Sequence, residues 1–114
     1  MRTLNEQTFY AKDIDASGGA QVDYTPSIDL AHAAGYSAHF VVTRTAAVLA
    51  GTVINQKSND GVTWIDITTV AVADVASQVG AFEVVDIFYR FARLKISTAT
   101  GKASIAVNLT TKGF

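Results

Sequence analysis

The chain has 114 residues, no cysteine, 9 basic against 10 acidic side chains and a net charge of −1. No cysteine means no disulfide and no thiolate metal site, and the balanced charge argues against a nucleic-acid partner, which would draw a basic stripe. Only 17% of residues are charged, against about 25% in an average soluble domain, and 49% are hydrophobic. A single small domain with so few charges is expected to have part of its surface covered by other protein.

Along the chain, Met1 to Thr8 is polar and unpatterned, and is expected as a flexible arm that orders on a neighbour. The start "MRTLNEQTFYAKD" lacks an apolar core, so no secretory signal is expected. No apolar run reaches membrane-spanning length, so no membrane partner is expected. Phe9 to Ile14 reads as a first strand. "ASGGA" (Ala16 to Ala20) is a flexible break, and Gln21 to Tyr24 is a second strand limited by Pro26, the only proline. Ser27 to Leu30 allows a brief pairing, and Ala31 to Gly35 a turn or one helical turn.

Tyr36 to Thr45 is a strong strand, with Tyr36, Ala38, Phe40 and Val42 on one face and Ser37, His39, Val41 and Thr43 on the other. Leu49 to Lys57 is the next strand. Ser58-Asn59-Asp60-Gly61 then predicts a tight hairpin into Val62 to Thr68, because Asp-Gly accepts left-handed backbone. Trp64, the only tryptophan, is expected to fold back onto the sheet as core. "AVADVAS" (Ala71 to Ser77) reads as a loop or edge strand, and Gln78 to Val85 and Tyr89 to Ser97 as strands. "TATGK" (Thr98 to Lys102) predicts a hairpin turn. Ala103 to Thr110 closes the pattern, with Ile105, Val107 and Leu109 alternating with Ser104, Ala106, Asn108 and Thr110. The expectation is an all-β fold over residues 1–114, an antiparallel β-sandwich or jelly roll of about seven to nine short strands.

Chemistry has little to stand on. His32 and His39 lack metal-ligand spacing, and neither a nucleophile motif nor a phosphate-binding glycine loop is present. Neither an enzyme nor a cofactor is expected. Asp13 and Asp15 share a strand face and, with Asp23 or Asp29, form a candidate calcium site, against the plainer reading of a solvated strand end. Asn108-Leu109-Thr110 matches a glycosylation acceptor inside a predicted strand and is read as a chance match. "FYRFARLKI" (Phe88 to Ile96) says more. Arg90, Ala92, Leu94 and Ile96 form one face, suited to the core, and Tyr89, Phe91, Arg93 and Lys95 the other. Two aromatics followed by two cations form a candidate protein interface or a platform for stacking a sugar, against the plain reading of a covered outer sheet face.

"SNDGVTW", followed some way on by "YRFARLKI", resembles the small β-sandwich structural proteins of tailed-bacteriophage virions. A similar pair marks discoidin-like jelly rolls. Ser58, Asp60, Gly61 and Trp64 match the turn, and Arg90, Phe91 and Arg93 match the later strand. The resemblance covers Tyr36 to Ile96 and describes a fold corner better than an activity. It implies a virion component assembled in the host cytoplasm: a capsid decoration or cement protein, or a small tail or head–tail connector part. Its partners would be further copies of itself, with a trimer favoured, and the major capsid protein or other virion proteins. The candidate interface is Tyr89, Phe91, Arg93, Lys95 and Phe114, the last as an anchor in a partner groove. A carbohydrate-binding module is the alternative.

Overall fold

The structure, a computed structural model, describes residues 5–31, 33–84 and 89–113. It is all-β and antiparallel. The described strands are β1 (Asn5–Asp15), β2 (Gln21–Tyr24), β3 (Ile28–Asp29), β4 (Ala33–Ser58), β5 (Ile65–Val72), β6 (Ser77–Val84) and β7 (Phe91–Gly113). Of the residues expected as an arm, Asn5 to Thr8 lie in β1, paired with β7 from Lys112 to Leu109. Met1 to Leu4 lie outside the described residues.

The strand count falls in the expected range, but not all strands are short. β4 has 26 residues and β7 has 23, and the two run side by side from Ala33 against Gly113 to Ser58 against Phe91. Each takes part in two layers. The first half of β4 pairs with β6, and the second half of β7 pairs with β1, giving the order β1–β7–β4–β6. The second half of β4 pairs with β5, and the first half of β7 pairs with β2 and β3, giving β2/β3–β7–β4–β5. Counted by halves, and with β2 and β3 sharing one position beside β7, eight strand positions form two four-stranded sheets, the connectivity of a jelly roll.

The long strands cross between sheets at a corner where the register slips between Arg44 and Gly51, opposite Thr98 to Lys102. Thr98 to Lys102 is therefore a bend within one strand, not the hairpin turn expected. Gly101 makes the bend, with φ at 84°. A Cβ there would meet the Val48 carbonyl oxygen at 2.6 Å and the Ala46 carbonyl oxygen at 2.9 Å. The loop between β5 and β6 clasps this corner: Asp74 accepts hydrogen bonds from the Leu49 amide and the Arg44 guanidinium, both at 3.0 Å. These two donors, the amide first, lower the Asp74 pKa.

The expected alternation holds in both halves of the sandwich. Tyr36, Ala38, Phe40 and Val42 on β4 and Ile105, Val107 and Leu109 on β7 face inward from the first sheet. Val53, Ala92, Leu94 and Ile96 face them from the second, and all belong to one core cluster. Burying the Phe, Leu, Ile and Val side chains of this set at roughly 1.5–3 kcal/mol each is the main favourable contribution to folding.

Candidate interaction surface

From Phe91 onward the β7 alternation puts Ala92, Leu94 and Ile96 in the core and Phe91, Arg93 and Lys95 on the outer face of the second sheet. Arg93 is the centre of that face. Its Nε donates to Gln56 Oε1 at 2.9 Å, and Gln56 Nε2 donates to Asp66 Oδ1 at 2.8 Å. One polar chain thus runs across β7, β4 and β5. The guanidinium carbon lies 4.1 Å from the ring centroids of both Tyr24 and Trp64. Guanidinium over aromatic faces is a cation–π contact, strengthened where water is excluded. Burial there lowers the Arg93 pKa. Lys95 pairs with Tyr24 and Ile54 beside this stack.

Trp64 is therefore not a core residue. It is half-buried on the outside of the sheet, with Arg93 as its partner. The turn before it explains the placement. Ser58 Oγ accepts from the Gly61 amide at 2.9 Å, and Asp60 Oδ1 accepts from the Val62 and Thr63 amides, both at 2.8 Å. Ser58 Oγ also donates to Asp60 at 3.0 Å. Donation by the Thr63 and Val62 amides, then by the Ser58 hydroxyl, holds the Asp60 carboxyl down at about 2. Gly61, at φ 76°, lets the chain turn back so that it lies against the Phe91 ring. The expected tight hairpin is instead a six-residue loop, Asn59 to Trp64, since β5 starts only at Ile65. Its side-chain-to-backbone bonds stand in for a strand ladder.

Tyr89 leaves the row expected for it. It precedes β7, so strand alternation does not reach it, and it packs against the core instead. Its hydroxyl donates to that of Tyr36 at 3.2 Å, and Tyr36 donates to Asn55 Oδ1 at 2.7 Å. Burial, then the neighbouring Tyr89 hydroxyl, pushes the Tyr36 pKa up, and burial raises that of Tyr89. Lys57 Nζ lies 5.6 Å from the Tyr89 ring centroid. A cleft of about 390 Å³ opens here, lined by Lys57, Asn59, Asp60, Thr63, Ile65 and Tyr89. Arg90, expected in the core row, is exposed and pairs with Asp29 at 3.4 Å. Phe114 and His32 lie outside the described residues.

The candidate calcium ligands are engaged locally. Asp15 accepts from the Ser17 amide at 3.0 Å and lies 3.6 Å from Lys102. Asp23 pairs with Lys12, and Asp29 also accepts from the Ala31 amide at 2.9 Å. Asp13 sits opposite Ser104 on the outer face of the first sheet. Among the described residues, no three His, Cys, Asp or Glu side chains converge as a metal site would require. Tyr24, Gln56 and Asp66 are the members of the Arg93 network that sequence reading did not find. Only their place in the strand register brings them to Arg93.

No family model matches the chain, and no curated protein matches its sequence. Solved structures do share its fold. The PBSX exported protein XepA superposes with a TM-score of 0.66 at 16% identity over 96% of this chain, which spans 37% of that protein. A subunit of Bacillus endospore appendages, described as disulfide-linked pili, gives 0.57 at 15% identity over 100% of this chain and 93% of that one. The SPBc2 prophage-derived protein YomS gives 0.54 at 6% identity over 96% and 97%. At these identities the likeness shows the fold alone.

Proposed function

We propose that this chain is a non-enzymatic structural protein of a phage virion. In this reading it is a capsid decoration or cement protein, docking on the particle through homo-oligomeric contacts. A place in the tail or at the head–tail junction is the second position for the same role. The observation that supports it most is the surface. Among the described residues ten large apolar side chains are exposed, on both sheets and in the loops between them. A catalytic protein has no need of so much open apolar surface, whereas a subunit held by its neighbours does. The prophage-derived and appendage-forming proteins of like fold support the same reading. Without a cysteine, this chain can have no disulfide linkage between subunits.

A glycan-binding role is the competing reading, because Tyr24, Trp64 and Phe91 share an open sheet face. In the free chain Arg93 already lies over two of those rings, so a sugar would have to displace it. Mass spectrometry of gradient-purified particles of the phage that encodes the chain tests the proposal. The chain is expected among the virion proteins in many copies, and its absence from the particles would overturn the reading. A glycan array, with Phe91→Ala as control, tests the competitor.

A further inference from the structure

The outer face of the first sheet differs from that of the second. Its four strands line up in rows fixed by the register. One row reads Phe9, Asn108, His39, Ala81 across β1, β7, β4 and β6, and the next reads Ala11, Ala106, Val41, Val79. Neither row carries an Asp, Glu, Lys or Arg. Phe9 and Val79 are each 74% exposed and Val41 40%. The Asn108 side-chain oxygen has no hydrogen-bond partner among the described residues.

We infer that this face is covered by the same face of a second copy of the chain, packed sheet on sheet about a twofold axis. The inference rests on the assembly reading above and deepens it by naming the partner. The register decides the fit. Let the axis lie in the interface, parallel to the strands and between β4 and β7. The second copy then sets its β6 over β1 and its β4 over β7, each row opposite itself. Val79 falls over Ala11, Val41 over Ala106 and Phe9 over Ala81, a large side chain against a small one each time. Asn108 falls over His39, a ring that can donate to the unpartnered amide oxygen once the amide turns about its last torsion. The flanking rows meet without like charges: Asp13 over Ser77, and Glu83 over Gln7.

A partner of strong charge would find nothing in the two central rows to pair with and would be desolvated there against Val and Ala. A ring of three would need two unlike surfaces to meet, whereas a flat self-complementary face satisfies itself in a pair. That favours a twofold pair over the trimer expected from sequence. At strand spacings of about 4.8 Å and row spacings of about 6.8 Å, the two apolar rows with their two flanking rows cover roughly 500 Å² per copy. The pair buries roughly 1,000 Å², the threshold of a specific interface, so a micromolar dimer is expected, consolidated by crowding on a particle.

Sedimentation velocity from low micromolar to near-millimolar concentration tests this. The unaltered chain is expected to pass from monomer to dimer. Val79→Glu is expected to weaken the dimer on the order of a hundredfold by burying an unpaired charge. Val62→Glu, at an equally exposed loop position, is expected to leave it unchanged. Because the chain has no cysteine, Ala106→Cys places one thiol next to the axis, and a short bis-maleimide should join two copies through it. A chain monomeric throughout overturns the inference. So does a dimer indifferent to Val79→Glu, a dimer that Ala106→Cys cannot cross-link, or a different virion protein captured on this face. A dimer by this face in a chain absent from particles would overturn the virion reading and leave the pairing intact.

Discussion

The two sheets of this sandwich share a core and differ on their outsides. On the second sheet, Arg93, Gln56 and Asp66 form a hydrogen-bonded chain across three strands, and two aromatic rings lie on the guanidinium. That face has its own partners. On the first sheet, Phe9, Val41 and Val79 stand open beside alanines, with no charged group in their rows. The contrast teaches that aromatic-plus-cation composition, the usual sign of an interface, here also builds contacts within the chain. The plainer Ala/Val face is the one without such contacts.

Both sheets contribute to one core cluster, and the presumption is that they unfold as one unit. Phe40, fully buried in the first sheet, tests that presumption with the largest expected effect. Phe40→Ala should cost about 3–5 kcal/mol in urea unfolding, in a single transition that near-ultraviolet and far-ultraviolet probes follow together. Two separated transitions would show that the sheets are independent units.

Next comes the asymmetry of the faces. Arg93→Ala removes a guanidinium from two rings and leaves the Gln56 amide oxygen, in a side chain only 5% exposed, without its donor. A loss of about 1–3 kcal/mol is expected. Val79→Ala, on the open face, should stay within about 0.5 kcal/mol in the monomer. Equal effects would show that the second face is no more ordered than the first. Arg93→Lys keeps the charge without the planar fork, and should fall between the two.

How much of this was legible in sequence follows from distance along the chain. The strand alternation of Tyr36 to Val42 and Ile105 to Leu109 is a local two-residue period, and both rows are buried as read. The bend of β7 reads in sequence as a hairpin turn, and that of β4 as a gap between two separate strands. A glycine in a turn-like run looks the same whether the strand ends or crosses to the other sheet. Only the approach of Gly101 to the Ala46 and Val48 carbonyls distinguishes them. Phe91, Arg93 and Lys95 were placed correctly on one face, because β7 contains all three. Tyr89 was not, because β7 begins after it. The partners of Arg93 come from three other segments, and nothing local in "QVDY" or "VTW" signals that Tyr24 and Trp64 meet on one guanidinium.

Trp64 sharpens the point at smaller scale. A core tryptophan would cost about 3–5 kcal/mol on truncation to alanine. Half-buried on an outer face, with a cation–π partner, it should cost about 1–2 kcal/mol. Trp64 fluorescence should also shift to the red in Arg93→Ala as water reaches the ring. A loss of 3 kcal/mol or more, with unchanged emission, would return the ring to the core.

The smallest effect is the one at the loop that carries Trp64. Asp60 holds that loop by accepting from the Val62 and Thr63 amides, and these bonds are strongest to the ionised carboxylate. Its folded pKa of about 2 lies below the ordinary value of 3.8. The folded state therefore binds this proton less readily than the unfolded chain does. The contribution to stability is fully present above about pH 4 and fades as pH falls through the folded value near 2. Melting temperature followed from pH 6 to pH 2 should fall in both the natural chain and Asp60→Asn, since other carboxylates titrate there too. The natural chain should lose more, and the curves should converge toward the acid end. Asn59→Ala, in the same loop but without a carboxylate, should run parallel to the natural chain. If the Asp60→Asn curve also runs parallel, the amide bonds of Asp60 are not what holds the turn, and Trp64 must be kept over Arg93 by the ring contact alone.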